Sequence, residues 1–229
     1  MKKQTLSLLL LLILVLSLAF PASAAQYTDV PDNSWYAPYV SYVSEHGIFQ
    51  GMGGGRFEPD TVMTRAMFVT VLHRMYGSPS PKSAAAFSDV PAGAWYAEAV
   101  AWGAENSVVR GYSETQFGSN DPVTREQMCT LLVRFAALTG KQLPKTVPAN
   151  RFADEAQISS YASDAVSACQ QAGVVQGMPG NQFAPRGSAT RAQVAAVLTR
   201  YLQSAGEETP IEPSPIPTDH AELPIDVLP

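Results

Sequence analysis

One device occurs three times in the 229 residues, and it limits what the chain can fold into. Thr64-Arg65-Ala66-Met67, Thr124-Arg125-Glu126-Gln127 and Thr190-Arg191-Ala192-Gln193 each open an apolar stretch. Thr stands where a helix N-cap belongs, and Arg is the first helical residue. Apolar residues follow at helical spacing: Phe68, Leu72 and Met75; Met128, Leu132 and Phe135; Val194, Leu198 and Tyr201. A second Arg comes nine residues after the first in every copy, at Arg74, Arg134 and Arg200. The copies lie 60 and 66 residues apart, so the chain is an array of repeats.

The rest of each unit keeps step. Unit one, residues 26–76, opens with Tyr27-Thr28-Asp29-Val30-Pro31 and Trp35-Tyr36. A helix through Val40 and Val43 follows, ended at Gly47 by a glycine C-cap, then a glycine-rich turn at Gly51 to Gly55 and Phe57-Glu58-Pro59. Residues 77–86 are a connector. Unit two, 87–138, repeats the plan from Phe87-Ser88-Asp89-Val90-Pro91 and Trp95-Tyr96. A second connector spans 139–150. Unit three, 151–203, begins Phe152-Ala153-Asp154 and carries one extra residue before its first helix, so Tyr161 falls in the slot of Trp35 and Trp95. Gly51 to Phe57, Gly111 to Phe117 and Gly177 to Phe183 are all six residues, and each Phe precedes its Thr by seven. One helix pair is too small to bury a core, whereas three pairs can share one. The expected structure is a single domain of three helix-loop-helix units.

The two ends read differently. Lys2 and Lys3, an apolar run from Leu6 to Phe20, and Ala22-Ser23-Ala24 form a secretory signal peptide over 1–24. The apolar run is short for a spanning helix, so no membrane attachment is expected after cleavage. Residues 206–229 hold six prolines and six acidic residues and no Lys or Arg, the composition of a disordered acidic tail open to surface-protein partners. Of 15 basic residues, Lys2 and Lys3 leave with the signal; 13 against 20 acidic give a net charge of −7, which argues against nucleic acid. Cys129 and Cys169 are the only thiols; a pair of buried free thiols is the expected reading, with a disulfide as the alternative. No Cys and His spacing matches a metal site, and no cofactor is called for.

The Thr-Arg helix start is the candidate for chemistry. A helix N-terminus exposes unpaired N–H groups and a partial positive charge. Gln127 and Gln193 can complete a capping box, and Met67 is not expected to. Arg in a first turn opposes the dipole, which suggests a use. With the N–H groups it would hold an anion, most naturally a carboxylate. Alternatively each Arg pairs with Asp29, Asp89 or Asp154. Trp35, Trp95 and Tyr161 either staple a helix start or stack on sugar rings. The glycine-rich turns lack a Gly-Lys-Ser/Thr sequence, so they are not phosphate loops.

The succession Phe/Tyr-x-Asp-Val-Pro, Trp-Tyr, helix, Gly-Ile/Val, Gly, Phe-x-Pro and Thr-Arg-Ala-x resembles the S-layer homology domain from residue 27 to about 202. The resemblance implies an all-α fold: three repeats packed with pseudo-threefold symmetry around a central three-helix bundle. It also implies inter-repeat grooves that bind secondary cell-wall polysaccharide through a pyruvylated amino sugar, or peptidoglycan. It assigns the glycan contacts to Arg65, Arg125 and Arg191, to Asp29, Asp89 and Asp154, and to Trp35, Trp95 and Tyr161. The family's Thr-Arg-Ala-Glu ends here in Met67, Gln127 and Gln193; Glu126 replaces Ala, Ser107 replaces Gly, and Ser119 replaces Pro. The expected role is non-enzymatic anchoring at the cell wall or surface layer, through at least one working groove. The competing expectations are a structural or protein–protein assembly module and a wall-glycan hydrolase. A hydrolase needs a placed pair of carboxylates, whereas these acids recur with the repeat as scaffold does.

Overall fold

A computed structural model describes residues 27–204 and Gly206; the expected signal peptide and residues 207–229 of the expected tail lie outside the described residues. Six α-helices occur in order: α1 (Ala37–Glu45), α2 (Arg65–Met75), α3 (Ala97–Glu105), α4 (Arg125–Leu138), α5 (Ser163–Gln171) and α6 (Arg191–Ser204). Two 3-10 turns, Glu155–Gln157 and Ser160–Ala162, precede α5. Among the described residues β-structure is confined to isolated bridges, so the fold is all-α.

Each unit contributes an outer helix (α1, α3, α5) and an inner one (α2, α4, α6). The inner helices start where the sequence places them, because Thr supplies a side-chain acceptor in extended backbone. Thr64 and Thr124 accept the N–H of Met67 and Gln127, and Thr190 that of Gln193. Gln127 and Gln193 reach back to the cap N–H. Met67, not expected to do so, also closes a box: its sulfur stands 3.5 Å from the Thr64 nitrogen. Sulfur is a weak acceptor, so this box is the weakest of the three.

The units close into a ring. Met63 N–H donates to the Ala189 carbonyl, Val123 N–H to Met63 and Ala189 N–H to Val123, so three residues from three units hydrogen bond in a cycle. The outer helices follow the same rotation: α3 packs on α2, α5 on α4, and α1 on α6. Phe68, Leu72, Met128, Leu132, Phe135, Val194, Leu198 and Tyr201 are fully buried in one continuous core. At the far end of the inner helices Phe135 meets both Tyr76 and Tyr201 edge-on, 6.4 and 6.1 Å between ring centres. Cys129 and Cys169 are buried and free, and the Cys169 thiol points at the Cys129 carbonyl 4.0 Å away. The sequence could not bring these two together.

Candidate functional site

The three repeated arginines are the residues that join one unit to the next. Arg65 donates from Nε to the Phe117 carbonyl at 3.0 Å and from Nη2 to that of Arg110 at 3.0 Å. Arg125 does the same to Phe183 and Gln176, at 2.7 and 3.1 Å. Arg191 closes the circle on Phe57 and Gln50, at 2.7 and 2.9 Å. Each guanidinium also lies against the ring whose carbonyl it holds, 4.8 Å from Phe117, 5.1 Å from Phe183 and 4.5 Å from Phe57. All three arginines are buried. Burial pushes their pKa values down, that of Arg191 to about 10, which leaves them charged at neutral pH.

The acids brace the same peptides from the other side. Asp29 accepts the N–H groups of Phe57 and Glu58, Asp89 those of Phe117 and Gly118, and Asp154 those of Phe183 and Ala184, all within 2.8 Å. Burial alone would raise these carboxyls; the backbone donors outweigh it and hold all three below the usual range. The residue after each Phe, whose N–H reaches the same carboxylate, lies in the left-handed region. Gly118 does so without strain, whereas Glu58 (φ 59°) and Ala184 (φ 54°) do so against their Cβ.

Two expectations about this region are therefore corrected. The helix starts are not open anion sites, because their first N–H groups bond to the neighbouring unit: Arg65 and Ala66 to Asp121 and Ser119, Arg125 and Glu126 to Gly187 and Pro185, Arg191 and Ala192 to Thr61 and Pro59. Nor do the arginines hydrogen bond with Asp29, Asp89 and Asp154; both charges grip one shared peptide, and the geometry prefers carbonyls because Phe57, Phe117 and Phe183 present them within reach.

What lies open is beside this ring. A cleft of about 300 Å³ runs along α2, lined by Met52, Met63, Met67, Arg74, Trp95 and Arg191 among others. Its residues come from all three units. Trp95 is 65% exposed and Trp35 57%, each edge-on to the following Tyr36 or Tyr96 rather than packed in the core. Tyr161 differs. It is half-buried, and its hydroxyl donates to Glu126 Oε1 at 3.2 Å. Glu126 also accepts the Ser159 N–H and hydroxyl, both at 2.9 Å. Burial and then the Glu126 charge drive the Tyr161 pKa up, so it stays a neutral donor. The Ala-to-Glu departure at 126 thus ties the third unit's loop to α4.

Arg74, Arg134 and Arg200 were visible in the sequence as a repeated second Arg but had no assigned use. Nine residues at about 100° each turn a side chain about 180° from the first Arg. The two arginines of one helix therefore serve opposite neighbours. Arg74 joins Arg191 in the α2 cleft, and Arg200 lies over Tyr39 and donates to its hydroxyl at 3.2 Å.

Among the described residues no group of His, Cys, Asp and Glu could hold a metal ion, and no helix is long and apolar enough to cross a membrane. The S-layer homology domain profile matches residues 26–67, 86–129 and 151–195. The chain is 31% identical over 180 residues to an amylopullulanase of Thermoanaerobacterium thermosulfurigenes, covering 79% of this chain and 10% of that one. It is 30% identical over 187 residues to the surface-layer 125 kDa protein of Lysinibacillus sphaericus, 80% of this chain and 15% of the other. A cellulosome-anchoring protein of Acetivibrio thermocellus is 25% identical over 188 residues, 80% and 41% of the two chains. This chain thus spans less than half the length of each of these relatives. Three matched segments covering more than half the sequence, each holding one Asp, one Thr-Arg helix start and one Phe loop of the closed ring, place the chain in the S-layer homology domain family, whose members associate with the cell surface.

Proposed function

We propose that this chain anchors itself, or whatever accompanies it, at the cell surface by binding wall glycan in the grooves between its units. The observation that carries this reading is the α2 cleft, where an exposed tryptophan stands beside two guanidinium groups in about 300 Å³ of open space. An indole face stacks on a sugar ring, and a guanidinium takes a carboxylate on that sugar. A secondary wall polysaccharide with a pyruvylated amino sugar supplies both; peptidoglycan is the alternative polymer. In this reading Arg65, Arg125 and Arg191, with Asp29, Asp89 and Asp154, shape the groove walls, and Trp35 and Trp95 face the glycan. Tyr161 contributes from its latched position. A cell-wall location and a polymer partner follow from the same reading.

The role is binding, not catalysis. The repeated carboxylates each hold two backbone N–H groups and are pushed towards lower pKa, which unfits them as proton donors to a leaving sugar. Two of the relatives named above are a surface-layer protein and an anchoring protein, and the amylopullulanase matches over a tenth of its length. Co-sedimentation with purified wall tests the proposal. The chain should pellet with intact wall and stay in solution once the secondary polysaccharide has been stripped. Equal pelleting with both would move the assignment to peptidoglycan, and no pelleting with either would leave the assembly role.

A further inference from the structure

The two thiols, which glycan binding does not use, sit at a pair of positions that every unit repeats. Val69, Cys129 and Ala195 each stand five residues after a capping Thr, on an inner helix. Val43, Gly103 and Cys169 correspond on the outer helices, because each of their carbonyls accepts two N–H groups from the turn that follows: Ile48 and Phe49, Val108 and Val109, Val174 and Val175. With α3 on α2, α5 on α4 and α1 on α6, the partners across the three packings are Val69 with Gly103, Cys129 with Cys169 and Ala195 with Val43. All six residues are buried.

The two helix backbones come close at this pair. A Cβ placed on Gly103 would stand 3.3 Å from Cγ1 of Val69, the γ position that sulfur takes in cysteine. A large side chain therefore faces a small one, Val against Gly or Val against Ala, and two side chains of middle size share the space in the remaining packing. A disulfide asks for the same closeness, with Cβ atoms about 3.5–4.5 Å apart. The Cys169 thiol lies 4.0 Å from the Cys129 carbonyl. Its hydrogen bond with the Cys129 thiol, and then burial, holds its pKa well above the usual thiol value.

We propose that Cys129 and Cys169 are an oxidative cross-linking site, at which one disulfide ties the inner helix of unit two to the outer helix of unit three. The co-reactant is a small-molecule disulfide. One cysteine sulfur attacks it and releases its first thiol, and the other cysteine sulfur displaces the second. One S–S bond breaks in the donor and one forms in the chain; two electrons and the two cysteine protons leave with the donor's thiols. Both cysteines are buried and protonated once folded, so the exchange takes place as α5 docks on α4. The bond joins residues 40 positions apart across the second connector, and so restricts the unfolded chain. The encounter with an oxidant rests on the cell-surface location, where thiols are not kept reduced; the placement of the two sulfurs does not.

The test refolds the full chain in oxidised glutathione and, separately, in dithiothreitol, then unfolds each sample in acid, alkylates it and reads its mass and peptide map. The oxidised chain should be a monomer lighter by two hydrogens, take up no alkyl group and yield one peptide pair joined through 129 and 169. Its Tm should exceed that of the reduced chain by about 5–10 °C. Cys129→Ala, which carries the third unit's residue at this position, should have the same Tm in both buffers. Two alkylated thiols, a glutathione adduct or a dimer linked through cysteine would overturn the proposal, and so would a cross-linked monomer no more stable than the reduced chain. None of these results bears on wall binding, which co-sedimentation decides separately.

Discussion

Arg191 and Arg74 carry the same charge and border the same cleft, yet they should behave oppositely when removed. Arg191→Ala loses two hydrogen bonds to carbonyls of the first unit and its ring contacts, so it should destabilise by about 3 kcal/mol in urea unfolding. Arg74→Ala loses one long hydrogen bond at a half-exposed site and should change stability by less than about 1 kcal/mol. Replacing the three clamping arginines therefore tests folding before it tests binding. The acids make a second prediction. Asp29, Asp89 and Asp154 have folded pKa values below their unfolded ones, so their contribution is fully present above about pH 4 and is lost as pH falls through the folded values. The urea midpoint should drop steadily below pH 4, and Asp154→Asn should be less stable at pH 7 with a shallower acid limb. An identical acid limb in the variant would contradict the assignment.

At the scale of helices, Ser107 is the weak point of the second unit. It ends α3 at φ 58°, where Gly47 and Gly173 hold φ 67° and 70° after α1 and α5. Ser107→Gly should stabilise the chain by about 0.5–1 kcal/mol in thermal or urea unfolding, because glycine enters this region without the Cβ clash. The need for a left-handed residue there was legible from the aligned glycines. So were the inner helices, since Thr, Arg and the apolar stripe are local signals that survive in every copy. The destination of the arginines was not legible. Arg191 and Phe57 are 134 positions apart, and nothing local says which unit follows which around a ring. For the same reason the helix starts read as open when their N–H groups were already taken. The Tyr161 latch was hidden too, since Glu126 reads as a lapse from Ala until Ser159 and Tyr161 are seen to need an acceptor.

The whole molecule is a cycle, and a cycle has no removable member. The Met63, Val123 and Ala189 bonds need all three units, and α1 finds its packing partner in α6 at the far end of the domain. The chain should unfold in one transition with coincident circular dichroism and tryptophan fluorescence. A fragment ending at residue 150 leaves α1 and α4 without partners and should show no cooperative transition. On the proposed reading, the grooves between the units are the surfaces that meet the wall. The most direct test of the account is the wall-binding isotherm of the double variant Trp95→Ala, Arg74→Ala, measured beside its Tm. A Tm close to wild type with affinity lowered at least about tenfold is the expected result. Wild-type affinity in that variant would contradict binding in the grooves.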